Sequence, residues 1–286
     1  MILASPVAAG LALALLSAFT SAFAHALLKS GEDKLATLAW IRCVEFVLAL
    51  PLALWIGLPP AGLWVWILAA VTVHALYQVV LSWSYTLSDF TAAYPIARGF
   101  APIFTALLGM ALLGDRLDGL AIAGIATVSL GIFCLAGRGA ISRDGLIAAA
   151  ATGLFTTAYT LIDAQGVRAA PSALTFIAWF FLVGALPMPA LLVARHGPRR
   201  AAALLARDRR QGLFAGVMAV VSFTPALFAL RLAPVGAVAA VRETSILIAL
   251  ALGVVLLKER PGWRRLSGAL LVTTGALGVV ARTAFA

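Results

Sequence analysis

The chain has 286 residues, 63% of them hydrophobic and only 11% charged, with a net charge of +10. Soluble domains carry about 25% charged residues, so a soluble globular fold is excluded, and a backbone in lipid must close its hydrogen bonds as helices or a sealed barrel. The apolar runs are long and lack the period-two alternation of barrel strands, which leaves an all-α integral membrane protein.

A spanning helix needs about 20 mostly apolar residues. Ten segments meet that need: 6–28, 36–56, 63–84, 91–113, 119–137, 145–163, 173–194, 212–231, 235–257 and 266–283. The first ends near a small-x-small site, Ala22-Phe23-Ala24. No charged stretch precedes it and it is long enough to span, so it reads as a retained helix rather than a signal peptide. Gly57-Leu58-Pro59-Pro60 parts the second and third segments, Pro171-Ser172 opens the seventh, and Pro234 and Pro261-Gly262 flank the ninth. These are positions where proline and glycine punctuate helices. Pro95, Gly99 and Pro102 predict a bend in the fourth. Trp64, Trp66, Trp83 and Trp263 lie near segment ends and read as interfacial anchors. Cys43 and Cys134 have no metal-ligand spacing and read as small buried residues.

The basic residues gather between segments. Fourteen Lys and Arg, from Lys29 and Lys34 through Arg195–Arg210 to Lys258–Arg265, fall on one side; only Arg116, Arg168, Arg231 and Arg282 fall on the other. The positive-inside rule makes the first side cytoplasmic and both termini non-cytoplasmic. Arg195–Arg210 is then expected to be the main cytoplasmic loop. The same distribution argues against nucleic acid as a partner.

The last apolar hairpin repeats one in the first half, 144 residues on and without a gap. Arg98-Gly99 returns as Arg242-Glu243, and Leu108-Gly109 as Leu252-Gly253. Leu112-Leu113-Gly114-Asp115-Arg116 returns as Leu256-Leu257-Lys258-Glu259-Arg260, with Gly124 and Gly131 matching Gly268 and Gly275. Five segments per copy is an odd number, so the second copy enters the membrane from the opposite side. The expectation is two inverted five-helix repeats, 1–140 and 141–286, with the substrate path between them near mid-membrane.

These residues resemble the drug/metabolite transporter superfamily in its ten-helix EamA-type form. The resemblance rests on the hairpin of Pro102, Leu107-Leu108-Gly109 and Leu112–Arg116 and on its second copy, and it covers most of the chain. It implies a transporter, with efflux as the suggested direction. His25–Gly31 and Ala93–Gly99 look like a narrower branch, in which Ala26 and Leu27 depart from the usual pattern.

An ionisable group inside a membrane helix is costly and therefore a functional candidate. Arg98 and Arg242 occupy equivalent positions in the repeat, and their planar forks suit a carboxylate or phosphonate. The alternative for each is a buried arginine paired with an acid. Arg42 and Glu45, three apart on one face, read as an internal ion pair or as a proton-coupling site at Glu45. Glu243 is placed to meet an amine or a proton, and Asp163 to sit near the interface at a helix end. His74 and Tyr77 share a face of the third segment, while His25 and Tyr94 add polar groups in the first and fourth.

Neither a phosphate-binding loop nor an HExxH or GxSxG motif occurs. The chain therefore reads as a non-enzyme without metal or cofactor: a secondary transporter of a small anionic or zwitterionic metabolite, in the inner or plasma membrane, with protons as a further partner. A flippase for a lipid-linked group is the alternative, and an integral-membrane enzyme comes after it. Two complete halves mean that a monomer suffices, with a dimer as the other option.

Overall fold

In the computed structural model the described residues are 5–30, 33–87, 90–135, 142–248, 250–251 and 262–284, without the side chains of 22–30, 34 and 82–97. Among them the regular structure is entirely helical. In chain order the helices are α1 (Pro6–Ser30), α2 (Lys34–Ile56), α3 (Trp64–Leu87), α4 (Phe90–Leu113), α5 (Gly119–Leu135) and α6 (Arg143–Ala169). They continue with α7 (Ala173–Gly184), α8 (Pro187–His196), α9 (Pro198–Arg207), α10 (Arg209–Leu232), α11 (Val235–Arg242) and α12 (Trp263–Ala284). Six stretches are long and apolar enough to cross a membrane, in α2, α3, α6, α7 with α8, α10 and α12. Shorter apolar helices lie at Pro6–Ser21, Arg98–Leu113 and Gly119–Leu135. Their outer faces carry exposed Leu54, Trp55, Leu112, Leu270 and Leu277. Apolar exposure on this scale is a liability in water, whereas hydrocarbon solvates it. The protein is a multi-pass helical membrane protein.

Local chemistry sets the helix ends. The side chains of Asp33, Ser142 and Ser172 accept hydrogen bonds from the backbone N–H groups of Ala36, Gly145 and Thr175, and so cap α2, α6 and α7. Gly114 closes α4 at φ +69°, a left-handed conformation that glycine adopts without strain.

The acid after Gly114 joins the halves at one end of the bundle. Asp115 accepts from the backbone N–H of Val235 at 2.6 Å, which caps α11, and from Arg168 at 2.7 Å. Arg168 also donates to the carbonyls of Leu230 and Ala233, while Arg231 donates to those of Val167 and Ala170. Orphan carbonyls at the ends of α6 and α10 are thereby satisfied. The motif most useful for recognising the chain is thus structural in its first copy. Its second copy, Lys258-Glu259-Arg260, lies outside the described residues.

Helices α5 and α12 pack glycine to glycine. A Cβ on Gly124 would meet the carbonyl oxygen of Gly275 at 3.0 Å, and one on Gly131 would meet that of Gly268 at 2.8 Å. Close backbone approach through small residues is how membrane helices gain packing energy when lipid supplies no hydrophobic drive. The contact is reciprocal: Gly124 and Gly131 meet the repeat equivalents of each other. The wider packing has the same character, with α1 against α10 and α3 against α6, and α4 against α6 and α1 against α11.

Four sequence expectations need correction. The seventh segment is broken at Ala185–Leu186, because Pro187 cannot supply an N–H to continue α7. The expected loop Arg195–Arg210 is mostly the amphipathic helix α9. Its Ala201 packs with Ala36, Ala39 and Leu192, and Trp40 donates from Nε1 to the Leu205 carbonyl at 2.8 Å. Asp163 is not at a helix end, since α6 continues to Ala169 and leaves the carboxylate 1% exposed. Cys43 and Cys134 are half-buried rather than fully buried.

Candidate functional site

A cavity of about 190 Å³ opens among α1, α2, α3, α4, α6, α7, α10 and α11; α5 and α12 stay outside it. Its wall brings together Arg42, Glu45, His74, Tyr77, Arg98, Arg242 and Glu243, all of them candidates from the sequence. Tyr94 and His25 were candidates too, but their side chains lie outside the described residues.

Each charged group is delivered by its helix register. Arg42 and Glu45 are one turn apart on α2, so both face inward, and Arg42 Nη1 donates to Glu45 Oε2 at 2.6 Å. This is the internal pair expected of them. Arg98 comes from α4. Its Nε and Nη2 donate to the two carboxylate oxygens of Glu243, each at 2.8 Å. That two-pronged geometry is the strongest form of an arginine–carboxylate contact.

Arg242 is placed differently. Helix α11 ends on it, as Glu243 N–H turns back to the carbonyls of Ala239 and Ala240, and Thr244 binds that of Val241 through both its N–H and its hydroxyl. A hydroxyl that competes for backbone carbonyls favours such an ending. Helical residues resume at 245, so the ninth segment is discontinuous where one continuous span was expected. The Arg242 guanidinium donates from Nε to Ser17 Oγ at 3.2 Å and lies 5.9 Å from the Phe223 ring centroid. Among the described residues it forms no ion pair. It is the cavity cation available to an anion.

The sequence reading had His74 as a candidate without its partner, and it missed the hydroxyls of the wall. His74 Nε2 lies 2.9 Å from Asp163 Oδ2. The imidazole is packed among Tyr159 at 4.3 Å, Phe180 at 5.0 Å and Phe223 at 5.4 Å between ring centroids. Hydroxyls of Ser21, Thr105, Thr156, Thr160 and Ser222 complete the lining. The signal for Asp163 was present, as a carboxylate within an apolar run; ending the sixth helix at 163 hid it. Nothing in the sequence set the serines and threonines apart, because such residues are common in membrane helices as backbone-bonded passengers. Among the described residues no cluster of metal-ligating side chains occurs.

The helices surround a polar, arginine-lined cavity inside an apolar shell. The model of the EamA-like transporter family matches residues 6–137 and again 143–281. The chain belongs to this family, as the duplicated hairpin implied. One solved structure, described only as "Crystal structure of protein", is similar with a TM-score of 0.72 at 20% identity. The match covers 96% of this chain and 97% of that one, and it supports the helical fold. No curated protein matches the sequence.

Proposed function

We propose that this protein is a secondary transporter that carries a small anionic or zwitterionic metabolite, in the export direction, by alternating exposure of the cavity to the two sides of the cell membrane. The observation that carries this reading is Arg242, a cavity cation with no carboxylate partner among the described residues, on the end of a broken helix. A guanidinium held in low dielectric interacts far more strongly with an anion than it would in water. Broken helices at mid-membrane are a recurrent way to build such sites.

In this reading the chain has ten spans in two inverted five-helix repeats, 1–140 and 141–286. The reciprocal glycine contacts of α5 and α12 support it, because a two-fold axis makes residue i meet j while j meets i. Arg98 and Glu243 come from different repeats, so their ion pair fastens the halves together on one side of the substrate. An incoming anion competes with Glu243 for Arg98 and loosens that fastening. The orientation with both termini outside rests on the loop count, 14 Lys and Arg against four. Of the four, Arg168, Arg231 and Arg282 are engaged with Asp115, Asp118 or helix-end carbonyls.

The test is a thermal-shift panel on the purified protein in detergent, with amino acids, organic acids, phosphonates and cationic drugs, followed by flux in reconstituted liposomes. The reading expects stabilisation and flux with an anionic or zwitterionic class, both lost in Arg242→Ala. Stabilisation by cations alone, or by lipid-linked compounds alone, would overturn it; the second result favours the flippase.

A further inference from the structure

His74 lines the proposed transport cavity, and a buried acid outside the lining, Asp163, backs its imidazole; neither of the arginine–glutamate pairs uses the two. His74 is 8% exposed and Asp163 1%. Asp163 Oδ2 faces His74 Nε2 at 2.9 Å, and among the described residues Asp163 Oδ1 has no hydrogen-bond partner. A buried polar atom without a partner is rare enough to need a reason. A carboxylate that changes its protonation state is one.

Charge accounting across the cavity gives the pair a role. Arg42 with Glu45 is neutral, and so is Arg98 with Glu243. Among the described residues the charges left are Arg242 and the His74–Asp163 pair. With the imidazole neutral, the Asp163 carboxylate balances Arg242, and the Phe223 ring is in contact with both His74 and the guanidinium. A monoanion that docks on Arg242 then leaves one negative charge uncompensated in low dielectric. A proton added to His74 Nδ1, or to Asp163 Oδ1, restores the balance.

We infer that His74 and Asp163 form the proton-binding site of the cavity, and that Arg242 takes a monoanion together with one proton. This rests on the proposed transport function and narrows its substrate to a singly charged anion. The other groups around the imidazole agree with the assignment. On its own helix, Tyr77 and Gln78 line the cavity beside it. From α6, Tyr159 stacks on the ring; α7 and α10 offer only Phe180 and Phe223. Arg42 and Glu45 of α2 occupy each other, as do Arg98 of α4 and Glu243. The aromatic rings beside Arg242 suit an anion with an apolar body. Among the described residues of the wall, no carboxylate is left over for the ammonium of a zwitterion.

The sign of the coupling is fixed. The anion binds best where the pair is protonated, so affinity falls as pH rises, by about tenfold per pH unit once one proton per anion must be taken up. Isothermal titration of the whole protein in detergent would use benzoate as the monoanion, phenylalanine as the zwitterion and succinate as the dianion. Runs between about pH 5 and 8, in two buffers of different ionisation enthalpy, count the protons. The expected result is benzoate binding with uptake of close to one proton. In Asp163→Asn, and separately in His74→Gln, the uptake and the pH dependence should vanish. The second variant keeps the test decisive if the first does not fold.

Benzoate binding without proton uptake would overturn the inference, as would either variant with wild-type pH dependence. Arg242-dependent binding of phenylalanine or succinate in place of benzoate would overturn it too, while leaving the transporter reading intact. If none of the three probes binds, the inference falls, and the thermal-shift panel decides the transporter reading separately.

Discussion

Helices α4 and α11 carry the same arginine at equivalent positions of the repeat, and the structure treats the two in opposite ways. In α4, Arg98 is followed by Gly99, where a Cβ would meet the Phe133 ring at 2.8 Å, and the helix runs on to Leu113. In α11, Arg242 is followed by Glu243, and the helix stops there. That glutamate crosses to the other half and takes both prongs of Arg98. One difference between the copies, Gly against Glu, thus leaves Arg98 paired across the halves and Arg242 without an ion pair among the described residues; in the proposed reading the second is the site for a ligand. Both arginines line the cavity; the difference between the copies divides their contacts.

The largest test of this contrast is Arg98→Ala. It leaves Glu243 as a buried unpaired charge, which costs about 3–5 kcal/mol. The melting temperature in detergent should fall sharply, and Arg98→Met combined with Glu243→Met should recover most of the loss. Arg242→Gln should behave in the reverse manner. With no ion pair to break, stability changes by about 1 kcal/mol or less. Losing a charged hydrogen-bond donor to the ligand costs about 1.5–3 kcal/mol, roughly 10–150-fold in affinity. Calorimetry that finds Arg242→Gln silent and Arg98→Ala damaging only to binding would invert the comparison.

The second pair of regions to compare is the site and its frame. Gly131→Val forces α5 and α12 apart, where a Cβ already meets the Gly268 carbonyl oxygen at 2.8 Å. Overpacking of this kind costs about 1–3 kcal/mol, and ligand affinity in the fraction that remains folded should be unchanged. A drop in affinity larger than the drop in stability would mean that the frame tunes the cavity. The smallest effect belongs to Asp118, which accepts from the Ala121 backbone N–H at 2.7 Å and from Arg282 at 2.6 Å. These bonds, the first above all, hold its carboxyl below the usual carboxylate range. A depressed value means that the contribution is present above the unfolded-state pKa and is lost as pH falls through the folded one. Asp118→Asn should therefore flatten the acid limb of the stability profile slightly and leave the neutral region alone.

The apolar pattern fixes much of the molecule without help. Helix boundaries for the first six segments and for α10 and α12 follow from hydropathy and turn residues, to within a few positions except at the end of α6. In a membrane, the span length and the need to satisfy every backbone group leave few alternatives. The candidates Arg42, Glu45, His74, Tyr77, Arg98, Arg242 and Glu243 were also legible, because an ionisable group in hydrocarbon is conspicuous. The partners were not. That Glu243 serves Arg98, that Asp163 serves His74, and that α11 ends on Arg242 are decisions made by contacts between helices far apart in sequence. No local propensity encodes them. Hydropathy registers the cost of burying a charge; only the packed helices determine which opposite charge offsets it, and so which arginine is left for a ligand.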